Sequence, residues 1–259
     1  MSTPLIILII VLSNLVVGTL IGISGIAGFL LPLIYVSVLN IPLRDSLAIS
    51  FLSFLVGGVF GTYSYWKLGN IDFKFAKLLS IGSIFGAVVG VRLNMLISVN
   101  IAKLLLYIVV LLSGVSILLR KNDTTQSIDG VNKSKILESR VFVIAIGFIT
   151  ATICALTGAG GPILVVPILA ILGIDIKVAV GIGILNQIII ALPSAIGYFS
   201  QSDFKGMTVF VISSLIAHVI GILIGARISN RINVNALKKV VSILSIFSAL
   251  YMIISTLIS

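Results

Sequence analysis

The chain has 259 residues, of which 59% are hydrophobic and 9% charged, with 17 Lys and Arg against 7 Asp and Glu for a net charge of +10. Soluble domains carry about 25% charged residues, so these proportions, with a mean hydropathy of +1.31, exclude water as the main solvent. Nucleic acid is excluded as a partner, because the cations stand one or two at a time in short hydrophilic gaps instead of clustering on one face.

The N-terminal Met1-Ser2-Thr3-Pro4 has no basic leader and no small-residue cleavage site follows, so residues 5–23 are expected to form a retained span, not a signal peptide. Ser24-Gly25-Ile26-Ala27-Gly28 then interrupts the apolar pattern ahead of a short segment, 29–39. Three longer segments follow at 46–66, 75–97 and 101–119, completing a first transmembrane repeat over residues 1–119. A polar cytoplasmic linker is expected at 120–140. The second repeat, 141–259, contains segments at 141–156, 163–172, 178–199, 207–228 and 236–258, with Thr157-Gly158-Ala159-Gly160-Gly161-Pro162 before the short one. At 1.5 Å rise per residue the short segments reach roughly 15 Å, about half the hydrocarbon thickness. Short, Gly- and Pro-flanked segments at corresponding places in two repeats point to a transporter binding site.

The two halves match in order. Besides the two Gly-rich breaks, Tyr65-Trp66 corresponds to Tyr198-Phe199, Gly86-x3-Gly90-x-Arg92 to Gly221-x3-Gly225-x-Arg227, and Val99-Asn100-x2-Lys103 to Val234-Asn235-x2-Lys238. Several matches in register imply an internal duplication.

The distribution of Lys and Arg decides how the halves face. If the first two segments of each half make one crossing, the halves are parallel and the cations divide almost evenly. If those segments make an even number of crossings, the halves are inverted. Only Arg44, Arg92, Lys103 and Lys205 then lie outside. The bias favours inverted repeats with both termini outside, and a cytoplasmic reporter signal from either terminus would refute it. The expected fold is therefore an all-α, polytopic membrane protein of two homologous, inverted halves, each with a Gly-broken short helix.

The breaks carry the clearest chemistry. A Pro at the first turn of a helix loses nothing by lacking an N–H, and the exposed N–H groups and positive dipole end can hold an anion without a basic side chain. Ser24, Gly25, Gly28, Thr157, Gly158, Gly160 and Gly161 are the candidate binding residues; close helix packing is the plainer explanation of the glycines. Asn186 and Gln187 lie inside an apolar run and either line a substrate path or hold helices together. Ser50 and Ser53 are weaker candidates. His218, the single histidine, is a candidate for proton coupling, with a hydrogen-bonded structural histidine as the rival reading. Arg92 and Arg227 are expected to snorkel to the interface, and Tyr63, Tyr65, Trp66, Tyr198 and Phe199 to form an interfacial aromatic belt. The single cysteine, Cys154, allows no disulfide framework. No paired carboxylates, metal-ligand spacing or phosphate loop are found, so no enzyme, metal or cofactor is expected.

Gly158-Ala159-Gly160-Gly161-Pro162-Ile163-Leu164-Val165-Val166-Pro167, followed by Leu172-Gly173-Ile174, resembles the TauE/SafE family, also called TSUP. In the first copy, Ser24-Gly25-Ile26-Ala27-Gly28-Phe29-Leu30-Leu31-Pro32, Ala27 stands where a glycine is expected. The resemblance spans nearly the whole chain apart from the linker. It implies transport of sulfur-containing or organic anions such as sulfite, sulfoacetate or related sulfonates. The expectation is a secondary transporter in the cell membrane whose partners are a small anionic substrate and the lipid bilayer, with a homodimer left open. A passive anion channel and a structural subunit of a membrane complex are the rival readings.

Overall fold

The computed structural model describes residues 3–25, 27–119, 139–202, 208–229, 242–243, 246–247 and 249–254. The expected linker lies outside them except for Ser139 and Arg140, as does much of the expected last segment. Among the described residues nine α-helices are delimited: α1 (Thr3–Ser24), α2 (Leu30–Ser37), α3 (Leu43–Lys67), α4 (Phe73–Leu96), α5 (Val99–Leu119), α6 (Arg140–Thr157), α7 (Pro162–Ile171), α8 (Ile176–Phe199) and α9 (Thr208–Ile228). The described residues of 242–254 are helical, and no strand occurs among the described residues. Six helices, α1, α3, α4, α6, α8 and α9, are long and apolar enough to cross a membrane, whereas α7 is not.

Local chemistry sets the helix ends. Asp72 caps α4 by accepting from the Phe75 N–H at 3.0 Å, and Asp175 caps α8 by accepting from Lys177 at 2.8 Å and Val178 at 3.2 Å. These side chains satisfy N–H groups that have no partner within the helix. Pro162 starts α7, where its fixed φ favours the helix.

The long helices pair across the sequence halves. The closest pairs are α4 with α6, α1 with α9 and α3 with α8; α3 also meets α9, and α4 meets α8. Glycines permit the approach. A Cβ at Gly86 or Gly90 would overlap the carbonyl oxygens of Phe148 or Thr152 on α6, and one at Gly221 or Gly225 would overlap those of Leu15 or Thr19 on α1. Between apolar helices in lipid, such backbone contact supplies the dispersion attraction that holds the pair together. Gly18 and Gly22 complete the α1–α9 seam from the opposite side.

The aromatic belt reading fails at two of its five positions. Tyr63 and Trp66 are exposed, but Tyr65 and Tyr198 are buried. The Tyr65 hydroxyl donates to the Gly22 carbonyl at 3.1 Å, and the Tyr198 hydroxyl to the Ala155 carbonyl at 2.8 Å. Both acceptors lie in the last turns of α1 and α6, where carbonyls have no intrahelical partner. Removing one hydroxyl strands a buried acceptor, which costs about 1–3 kcal/mol. Tyr198→Phe is therefore expected to lower the thermal unfolding midpoint in detergent, while Tyr63→Phe leaves it unchanged; equal midpoints for all three proteins would refute this role.

Candidate functional site

The site is built where α1 and α6 stop. Gly25 and Gly158, with φ of +72° and +75°, turn the chain out of each helix in a conformation that costs glycine little. Most of the end of α6 is accounted for: Gly158 N–H donates to the Cys154 carbonyl, Thr157 Oγ1 to Ile153, Tyr198 to Ala155 and Asn94 Nδ2 to Leu156. At the end of α1, Gly25 N–H donates to Ile21, Ser24 Oγ to Leu20 and Tyr65 to Gly22. The hydroxyls of Ser24 and Thr157 thus serve their own helix ends, at 2.9 and 2.7 Å, which leaves backbone N–H groups as the donors of the breaks.

The two breaks touch. A Cβ built on Gly160 would lie 3.4 Å from the Gly28 Cα, and one built on Gly28 would lie 3.6 Å from the Gly160 Cα. Each turning glycine also abuts the short helix of the other half. A Cβ on Gly25 would meet Pro162 of α7 at 3.4 Å, and one on Gly158 would meet Pro32 of α2 at 3.3 Å. The Phe54 ring of α3 covers Gly28 and Gly160 together and packs edge-on against Phe51, which stacks on Tyr198.

Both breaks leave backbone N–H groups available. In the first, Leu30 and Leu31 donate back to the carbonyls of Ala27 and Gly28, while the N–H groups of Ala27, Gly28 and Phe29 meet no acceptor among the described residues. In the second, no acceptor among the described residues takes the N–H groups of Ala159, Gly160 or Gly161. These groups lie beside the first turn of α7, where the dipole adds positive potential. Among the described residues no Lys, Arg, Asp or Glu is buried, so the junction's polarity is that of backbone and uncharged side chains.

Asn186 and Gln187 are fully buried on α8. Gln187 lies next to Gly161, whose Cβ would come within 3.0 Å of the Gln187 Cα, and its Nε2 donates to the Phe54 carbonyl at 3.0 Å. Its Oε1 and both polar atoms of Asn186 have no partner among the described residues. Such groups are costly to leave unmade in a dry interior. Cys154 points its thiol at the Gly160 carbonyl, 3.2 Å away. His218 packs against Phe54, with ring centroids 5.9 Å apart, and is not among the atoms at the glycine contact. Ser50 is buried without a partner, and Ser53 pairs with Ser214 at 3.4 Å. Arg92 and Arg227 are exposed, as snorkelling requires.

Sequence reasoning did not single out Phe54, Asn14 or Tyr35. Asn14, in the middle of α1, was accessible by the argument applied to Asn186: a polar amide within an apolar run. For Phe54 there was no such signal, because a phenylalanine in a span is ordinary.

Six helices long and apolar enough to cross a membrane, with no strand among the described residues, define a polytopic α-helical membrane protein. Residues 6–252 match the family described as Sulfite exporter TauE/SafE, and the chain belongs to that family. It is 25% identical over 240 residues to the "Probable membrane transporter protein YdhB" of Bacillus subtilis (strain 168), covering 92% of this chain and 94% of that protein. It is 26% identical over 260 residues to the "Probable membrane transporter protein YjnA" of the same organism, covering 94% and 98%. No solved structure matches the chain.

Proposed function

We propose that the protein is a secondary transporter of a small sulfur-containing or organic anion, sulfite- or sulfonate-like, bound where the two breaks meet. The observation that carries this reading is the contact between Gly28 and Gly160 beside the N-terminus of α7, with buried Gln187 adjoining Gly161. The free N–H groups of 159–161, the helix dipole and the unpartnered amide of Asn186 supply attraction for an oxyanion. With no buried cation among the described residues, the anion is held by partial charges only, which suits a site that must also release it.

The halves are read as inverted repeats in the cell membrane with both termini outside, the orientation that the Lys and Arg bias favours. The duplication behind this reading is supported by the reciprocal packing, in which α1 on α9 answers to α6 on α4, and Tyr65 on Gly22 to Tyr198 on Ala155. Rocking of one bundle against the other about the glycine seams would expose the junction to each side in turn.

The test is thermal stabilisation of the purified protein by sulfite, thiosulfate, sulfoacetate, taurine and simple carboxylates. A selective upward shift with sulfite or a sulfonate is expected. Equal indifference to every anion would refute the substrate class while leaving the membrane fold in place.

A further inference from the structure

A second buried polar group packs against Phe54, and the anion site does not use it. His218 of α9 is fully buried against Gly57 of α3, and neither ring nitrogen has a hydrogen-bond partner of acceptable geometry among the described residues. The backbone of Asn14 lies beside the ring. The Asn14 side chain donates through Nδ2 to the Ile10 carbonyl at 2.8 Å and to the Tyr35 hydroxyl, and its Oδ1 has no partner. Tyr35 reaches Ser214, which sits one turn before His218 and pairs with Ser53. Four helices, α1, α2, α3 and α9, thus converge on a cluster with unused acceptors on both Asn14 and His218.

The matching interface of the other half is built differently. There α4 meets α6, and Ser83 and Gly147 stand where α9 and α1 carry His218 and Asn14. Ser83 Oγ donates to the Leu79 carbonyl at 3.0 Å and reaches the Gly147 carbonyl at 3.3 Å, so its hydroxyl is satisfied. A Cβ at Gly147 would overlap the Leu79 carbonyl oxygen, so that seam has no room for an amide. One seam is closed by small, satisfied groups, and the other carries a titratable ring with its hydrogen bonds unmade. Helix packing alone does not account for this difference, because the small-residue solution was available to both.

We infer that Asn14, Tyr35, Ser53, Ser214 and His218 form a proton site, and that one proton taken up by the His218 ring accompanies each anion bound at the glycine junction. The inference rests on the anion reading for its coupling, but not for the proton site. The proton arrives from water on one side as a neutral imidazole becomes imidazolium, and leaves to water on the other when the ring is neutral again. No bond other than N–H is made or broken. Histidine is the side chain that ordinarily titrates near neutrality, and Tyr35 is the other titratable group in the cluster. Neither α1 nor α2 contains a charged residue; Arg44, Asp45 and Lys67 stand at the two ends of α3, and Arg227 lies nine residues beyond His218. No fixed charge therefore competes with an anion across the Phe54 ring. An oxyanion at the junction favours the imidazolium, and the imidazolium favours the oxyanion, by the same free energy.

Because the chain has a single histidine, nitrogen NMR of the 15N-histidine-labelled, full-length protein reads this ring without assignment. The ring is expected to titrate, and adding sulfoacetate at fixed pH is expected to increase its protonated fraction. A ring that keeps one protonation state throughout overturns the proton site. A ring that titrates but ignores bound sulfoacetate overturns the coupling. In proteoliposomes, His218→Gln is expected to lower the ratio of pH-gradient-driven uptake to sulfoacetate counterflow by about tenfold; an unchanged ratio overturns the proposal. If sulfoacetate fails to bind the wild-type protein at all, the anion reading fails, and the NMR titration still decides for or against the proton site.

Discussion

Gly86→Leu is expected to prevent stable folding. Gly86 sits in the α4–α6 seam, where even a Cβ would overlap the Phe148 carbonyl oxygen and approach its Cα at 3.0 Å. The obstacle is backbone, so no rotamer change relieves it; the helices must separate. Overpacking in a close-packed interior costs about 1–3 kcal/mol where side chains can adjust, and here the cost falls at or above that range. Separation also breaks the neighbouring contacts at Gly82, Gly90 and Gly147, because rigid helices cannot part at one point alone. The unfolding midpoint in detergent is the measurement, with Gly69→Ala as the contrast. Gly69 has nothing within 4 Å of a built Cβ and a φ of +71°, so that change adds only backbone strain of about 1 kcal/mol. A Gly86→Leu protein that melts with Gly69→Ala would show that the seam does not hold the fold together.

Much of this architecture was legible because membrane spans are written in composition. The short segment expected at 163–172 is α7, Pro162–Ile171, and the expected 178–199 is α8, Ile176–Phe199. The Gly-x3-Gly motifs were visible as motifs, but their partners were not. Gly221 and Gly225 of α9 pack against α1, and Gly86 and Gly90 of α4 against α6, a choice that depends on which facing helix also presents small residues or carbonyls at the right heights.

The misreading of Tyr65 and Tyr198 has the same origin. A tyrosine near the end of an apolar run suits an interface, and the sequence does not show that the helix two elements earlier ends beside it with a carbonyl lacking a partner. At the site, the glycines were legible because turning the chain sharply requires them. The engagement of the Ser24 and Thr157 hydroxyls was not, since a hydroxyl at a helix end can bond its own backbone or a ligand equally well. Asn14 and Tyr35 become informative only when α1 and α2 are seen to face α9.

The glycine junction makes the second large prediction: Gly161→Leu is expected to abolish transport while leaving the protein inserted and folded. Gly161 has φ −55° and ψ −49°, so a leucine fits its backbone without strain. What it meets is α8, with the Gln187 Cα at 3.0 Å, the Gln187 N at 3.2 Å and the Ile190 Cδ1 at 3.2 Å from a built Cβ. The side chain must therefore push the first turn of α7 away from Gln187. A shift on the order of 1 Å between groups that must converge on one ligand can cost about a hundredfold in rate, and the added apolar volume fills the space beside the free N–H groups. Insertion is untouched, because leucine raises hydropathy and no seam glycine is altered. The measurements are anion uptake into proteoliposomes and the unfolding midpoint of the same preparation. Loss of uptake with a retained midpoint separates this variant from Gly86→Leu, in which both fail together. Uptake at the wild-type rate would mean that the anion crosses elsewhere, since no oxyanion site at the N-terminus of α7 could accept that side chain and still function.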